Sequence, residues 1–122
     1  MVTAKLPVLQ FSRGRSRITP ELQERSRFDM AVLTDAEIQR ELASLSGWQR
    51  NGTAIQRVFR FPDFKAAMQF VNKVADAAEQ ANHHPDIDIR YNTITMALVS
   101  HDSGGVTQRD VRMAGTINKI AG

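Results

Sequence analysis

Apolar residues recur along this chain with two different periods, and the switches between them mark its elements. From Leu33 to Gly47 the spacing is helical: Ile38, Leu42 and Leu45 follow Thr34-Asp35-Ala36-Glu37. That opening reads as a capping box, in which Thr34 and Glu37 satisfy each other's backbone N–H groups. Gly47 suits the position just past the helix, so a helix is predicted over about 35–46. Trp48–Asn51 and Ala54–Phe61 then flank Asn51-Gly52, a two-residue hairpin signal. Ile55, Arg57, Phe59 and Phe61 share one face of the second strand, and Pro62 ends it. Asp63 can cap a long helix to about Ala81 whose stripe is Phe64, Ala67, Met68, Val71, Val74, Ala75 and Ala78. Pro85 bars extension much past His83. Ile87, Ile89 and Tyr91 alternate with Asp86, Asp88 and Arg90, after which the apolar set moves to Ile94, Met96 and Leu98. The change of parity predicts two antiparallel strands joined by a tight turn at Asn92-Thr93. Ser103-Gly104-Gly105 is a loop, Thr107 with Asp110 resembles a second cap, and Val111, Ala114, Ile117, Ile120 and Ala121 stripe a last helix. The order α-β-β-α-β-β-α predicts an α+β two-layer sandwich, with a four-stranded antiparallel sheet carrying three helices on one face.

The chain has 122 residues, which fits one domain core, with residues 31–122 as that domain. It has no cysteine, so disulfides, cysteine-ligated metals and thiol nucleophiles are excluded. It has no apolar run long enough to span a bilayer. The net charge of +3 comes entirely from the start: six basic against three acidic side chains precede Met30, and ten of each follow. Beyond residue 29 there is thus no electrostatic footprint for phosphate backbones, and nucleic acid is not an expected partner. Residues 1–30 read as a basic extension outside the fold. Three readings fit it: an unstructured upstream or remnant segment, an Arg-rich organelle presequence, or a basic arm for an acidic partner. A cytoplasmic location is expected, with organelle import if the extension is a native presequence.

All three histidines, His83, His84 and His101, fall within nineteen positions, among Glu79, Asp86, Asp88, Tyr91, Asp102 and Asp110. His83 and His84 follow the long helix and His101 ends the fourth strand, so an antiparallel sheet can bring them to one rim. Imidazole titrates nearest neutrality, which suits proton transfer. A helix-end role against the dipole fits the same spacing. A metal site is disfavoured because neighbouring His83 and His84 cannot easily aim at one ion and no HExxH pair occurs. Ser100 beside His101 lacks the strand–turn–helix elbow of a nucleophilic serine.

The stretch from Glu79 through His83-His84-Pro85 to Tyr91, followed by His101 and Asp110, resembles the signature of the pterin-4a-carbinolamine dehydratases in residue types and in spacing. Gly47-Trp48 and Phe61-Pro62-Asp63-Phe64 extend the likeness, which covers about residues 33–121; residues 1–32 match nothing in it. Ile87 departs from the animal members, which carry Trp there.

The resemblance implies loss of water from 4a-hydroxytetrahydropterin to give quinonoid dihydropterin, within tetrahydrobiopterin recycling. No cofactor and no metal are needed, the pterin being the substrate. It implies His83 and His101 as the proton-transfer pair, with His84 binding or orienting the ring. Asn82, Ser100 and Asp102 would flank the pterin. Glu79, one helical turn before His83, would hold that imidazole, and Tyr91 would pack or support. Asp110 is expected as a helix cap and Trp48 as core. A homodimer or homotetramer and a functional link to an aromatic amino acid hydroxylase are implied as well. The alternative is a non-catalytic dimerisation or transcriptional cofactor module.

Overall fold

The computed structural model describes residues 29–122, and the extension expected over residues 1–30 lies outside them save for Asp29 and Met30. The elements are α1 (Asp35–Ala43), β1 (Gln49–Asn51), β2 (Ala54–Arg60), α2 (Phe64–Ala81), β3 (Asp86–Arg90), β4 (Thr93–Leu98) and α3 (Gln108–Ala121). This is the α+β order expected, with four antiparallel strands arranged β1-β2-β4-β3.

Local chemistry sets most boundaries. The Thr34–Glu37 capping box is formed, with the Thr34 N–H donating to Glu37 Oε1 at 2.8 Å and the Glu37 N–H to Thr34 Oγ1 at 3.1 Å. α1 ends earlier than its apolar stripe suggests. Ser44 and Leu45 donate to carbonyls three residues back, which tightens the last turn before Gly47 turns the chain at φ +85°. In the first hairpin Asn51 still pairs with Ala54, so Gly52 and Thr53 form the loop. Only Gly52 has positive φ, which puts glycine at the first turn position as a type II′ turn requires. The second hairpin turns at Tyr91-Asn92, one residue before the expected Asn92-Thr93, because Arg90 already pairs with Thr93.

One face of the sheet is buried. Ile55 and Phe59 on β2 and Ile94, Met96 and Leu98 on β4 meet Phe70, Val74 and Ala78 of α2 and Met113 and Ile117 of α3. Trp48 lies in this core as expected, its Nε1–H donating to Asn118 Oδ1 at 2.8 Å. The same oxygen accepts from Arg57 at 2.6 Å, and Arg57 also stacks over the Phe59 ring. The opposite face carries Val58, Thr95 and Asp88, and none of α1, α2 and α3 lies over it among the described residues.

Candidate active site

The strand register explains why distant segments meet. Asp86 at the start of β3 pairs with Ala97 near the end of β4, so the residues before Asp86 and after Ala97 share one rim of the sheet. Asn82, His83 and His84 reach that rim from α2. Ser100, His101 and Asp102 reach it from β4. These six residues, with Val99 and Arg109, line a shallow cleft of about 300 Å³. A larger groove of about 360 Å³ shares His83 and Arg109 with it, but the cleft is the candidate site because all three histidines line it.

The end of α2 decides where the first two imidazoles point. Asn82 caps the helix at φ 51° and ψ 42°, and the His83 N–H donates back to the Ala78 carbonyl at 3.1 Å. This is the Schellman pattern, built on one of the few non-glycine residues that tolerate the left-handed region. The reversal sends adjacent side chains apart. His83 is directed inward, 11% exposed, and its Nε2 lies 2.6 Å from Oδ1 of fully buried Asp110. His84 is directed outward, half exposed, with Nε2 2.5 Å from Glu79 Oε2. Glu79 therefore takes His84, not His83 as its one-turn spacing suggested. An ionised carboxylate only accepts, so Nε2 is the donor in both contacts, and a neutral ring so held keeps its lone pair on Nδ1.

Asp110 does more than cap its helix. Its Oδ2 accepts from the Thr107 N–H at 2.9 Å, closing the capping box of α3, and from the Ser100 hydroxyl at 2.8 Å. Ser100 and Thr107 hydroxyls are themselves 2.8 Å apart, and all three residues are buried. The Ser100 hydroxyl is thus spent on Asp110. Ser100 is nonetheless among the residues that line the cleft, where it was expected to flank the pterin.

His101 is exposed, and its imidazole has no hydrogen-bond partner among the described residues. Asp102 meets the Arg109 guanidinium at two points, 2.8 and 3.3 Å. That hydrogen bond holds the Asp102 carboxyl below the ordinary carboxylate range and raises Arg109 above its usual value. Tyr91 does not belong to this site. It occupies the β3–β4 turn at φ 53°, 63% exposed, at the opposite end of β3 from Asp86. From the hairpin tip it does not reach the residues lining the cleft, where a supporting role was expected of it.

Among the described residues no group of three or more His, Asp or Glu side chains is arranged to hold a metal ion, and no helix is long and apolar enough to cross a membrane. Asp110 and Arg109, which hold His83 and Asp102, are the residues that spacing alone undervalued. The signal for both was their position in the first turn of α3, directly after a loop that carries a histidine.

Residues 31–120 match the family described as pterin 4 alpha carbinolamine dehydratase. A relative from Koribacter versatilis, provisionally named pterin-4-alpha-carbinolamine dehydratase, is 62% identical over 89 residues, 73% of this chain and 95% of its own. A crystal structure of a transcriptional coactivator/pterin dehydratase from Brucella melitensis is 40% identical, covers 75% of this chain and 99% of its own, and superposes with a TM-score of 0.72. A pterin dehydratase-like protein described as a RuBisCO assembly factor of the alpha-carboxysome shares the fold, at 18% identity and a TM-score of 0.52 over 62% of this chain and 87% of its own.

Proposed function

The chain belongs to the pterin 4 alpha carbinolamine dehydratase family, hydro-lyases that dehydrate a pterin carbinolamine, and from that premise we propose how its histidines divide the work. In the dehydration the C4a–O bond breaks, the N5–H bond breaks, a C4a=N5 double bond forms and water departs. Hydroxide leaves poorly, so the 4a-hydroxyl needs a proton as it goes, and N5 must lose one. His83 is the base. Its Nε2–H is committed to Asp110 at 2.6 Å, so its neutral ring can offer only the Nδ1 lone pair. His101 is the acid, because it lines the same cleft with no ring partner among the described residues and is free to present an N–H to the leaving hydroxyl. His84, held by Glu79 at the rim, orients the ring, and Asn82 and Asp102 flank it.

The observation that carries this reading is that one cleft is lined by an imidazole anchored on Asp110 and by another with no partner among the described residues. The test is turnover of 4a-hydroxytetrahydropterin generated by a phenylalanine hydroxylase, with quinonoid product followed by absorbance. His83→Ala and His101→Ala should each lower the rate at least about tenfold in folded protein. Unchanged rates in both would refute the assignment. Because the Brucella relative is described as a coactivator as well as a dehydratase, a non-catalytic binding role is the second reading. It predicts a folded protein that does not accelerate dehydration at all. A homodimer or homotetramer, a cytoplasmic location and a hydroxylase partner complete the proposal; sedimentation, fractionation and co-purification respectively test them.

A further inference from the structure

We infer that Arg109 is a positioning residue for His101, acting through Asp102, so that two consecutive residues in the first turn of α3 set both sides of the proton-transfer pair. The inference rests on the acid/base roles proposed for His83 and His101.

Among the described residues, backbone hydrogen bonds close the loop that carries His101 only at its base. The Ser100 carbonyl accepts from the N–H groups of Ser103 at 3.0 Å, Gly104 at 2.9 Å and Gly105 at 3.3 Å, and the Ser100 N–H donates to Gly105 at 3.0 Å. Those bonds shape the turn but do not tie its tip to the rest of the molecule. His101 adds no tie of its own, since its ring has no partner among the described residues.

Arg109 supplies the missing attachment. Its fork grips both Asp102 oxygens at 2.8 and 3.3 Å, and Nη2 also donates to Ser103 Oγ at 3.2 Å. A planar guanidinium meeting a carboxylate at two points fixes distance and orientation together, which an ammonium cannot do. The Arg109 side chain is only 23% exposed, and its buried Nε has no acceptor among the described residues. The neighbouring Asp110 meanwhile holds His83 at 2.6 Å. Both histidines are thus referred to one rigid helical turn, and the gap between acid and base follows from the adjacency of Arg109 and Asp110.

The test compares Arg109→Gln, Arg109→Lys, Asp102→Asn and the double variant Arg109→Gln/Asp102→Asn by steady-state kinetics and by amide hydrogen exchange. In Arg109→Gln, exchange at residues 101–104 should quicken while α2 amides keep their protection. The kcat should fall about tenfold to a hundredfold, as expected for a reacting group displaced by an ångström, with KM changed far less. Arg109→Lys should recover little of the loss, and the double variant should have a kcat no lower than Arg109→Gln alone. Should Arg109→Gln fail to fold, Asp102→Asn must show the same loosening of 101–104. Full rescue by lysine, or unchanged exchange at the loop, would overturn the positioning role. Loosened exchange with unchanged kcat would overturn it too, and would place the fault in the acid role of His101 rather than in the clamp.

Discussion

Replacing Asp110 by asparagine separates a helix cap from a positioning carboxylate. The side chain is fully buried and accepts three hydrogen bonds: His83 Nε2 on Oδ1, and Ser100 Oγ and the Thr107 N–H on Oδ2. Asparagine keeps the shape but offers one oxygen and one NH₂. With the NH₂ turned toward Ser100 and Thr107, a buried backbone donor loses its acceptor, at about 1–3 kcal/mol. With the NH₂ turned toward His83, only the imidazole tautomer has to change, moving its hydrogen from Nε2 to Nδ1. The second arrangement is the less costly. It removes the lone pair assigned to N5 of the pterin. Asp110→Asn should therefore lose about 1–2 kcal/mol of stability through weakened charge-assisted bonding. That corresponds to a melting temperature lower by roughly 4–16 °C for a domain of this size. The kcat should fall by about 10²–10⁴-fold, the range of a lost general base. The coupled dehydration assay measures the rate, and nitrogen shifts of the His83 ring report the tautomer. Asp110→Ala makes a poorer test. It orphans three donors at about 1–3 kcal/mol each, against a total domain stability of about 5–15 kcal/mol. If Asp110→Asn melts lower yet keeps kcat within about threefold, Asp110 is a cap and nothing more.

Three further outcomes follow from the geometry. Ser100→Ala deletes one of the three donors on Asp110 and should lower stability by about 1 kcal/mol with KM unchanged; a large rise in KM would return that hydroxyl to the pterin. Gly47→Ala places a Cβ 2.4 Å from Arg57 Nε at φ +85°, so a loss of at least about 1–2 kcal/mol in denaturant unfolding is expected, and an unchanged midpoint would contradict the strain. Asp102 is held below its unfolded value chiefly by the Arg109 hydrogen bond, so its contribution is present above the ordinary carboxylate pKa of about 4 and is lost as pH falls through the folded value. Amides 101–104 should accordingly loosen only below about pH 4, and loosening between about pH 5 and 7 would put a histidine in control instead.

Features legible in the sequence were those decided by near neighbours. Both capping boxes, the long α2 ending at Ala81 and the parity change between β3 and β4 are local patterns, and the structure carries them. Boundaries slipped where a turn residue competed with a strand or helix residue: Tyr91 entered the left-handed region that made it a turn, and Ser44 closed α1 early. The six lining residues could be named because the family spacing ties them to one rim. Their partners could not. Which carboxylate each imidazole takes depends on the direction of the chain after Asn82, and that reversal hands Glu79 to His84 and frees His83 for a residue twenty-seven positions away. Arg109 stayed invisible for a related reason, since a surface arginine and a half-buried fork look alike until the loop folds against it.

The capping box on α3 has a consequence for how activity depends on temperature. Thr107 and Asp110 stop that helix from fraying, and the same turn presents the partner of His83 and, through Arg109, the support of the His101 loop. Only molecules with the turn wound hold a competent site, so the rate scales with the wound fraction. If unwinding costs about 3 kcal/mol, fewer than about 1% of molecules are open, and losing about 1 kcal/mol raises that only to about 3%. If it costs about 1 kcal/mol, the same loss takes the open share from about 15% to about half. Weakening the cap is therefore silent until a threshold and steep beyond it. On heating, turnover should drop before far-UV ellipticity does, the helix end letting go while the core behind it still holds; coincident loss of both would place the turn and the core in one cooperative unit.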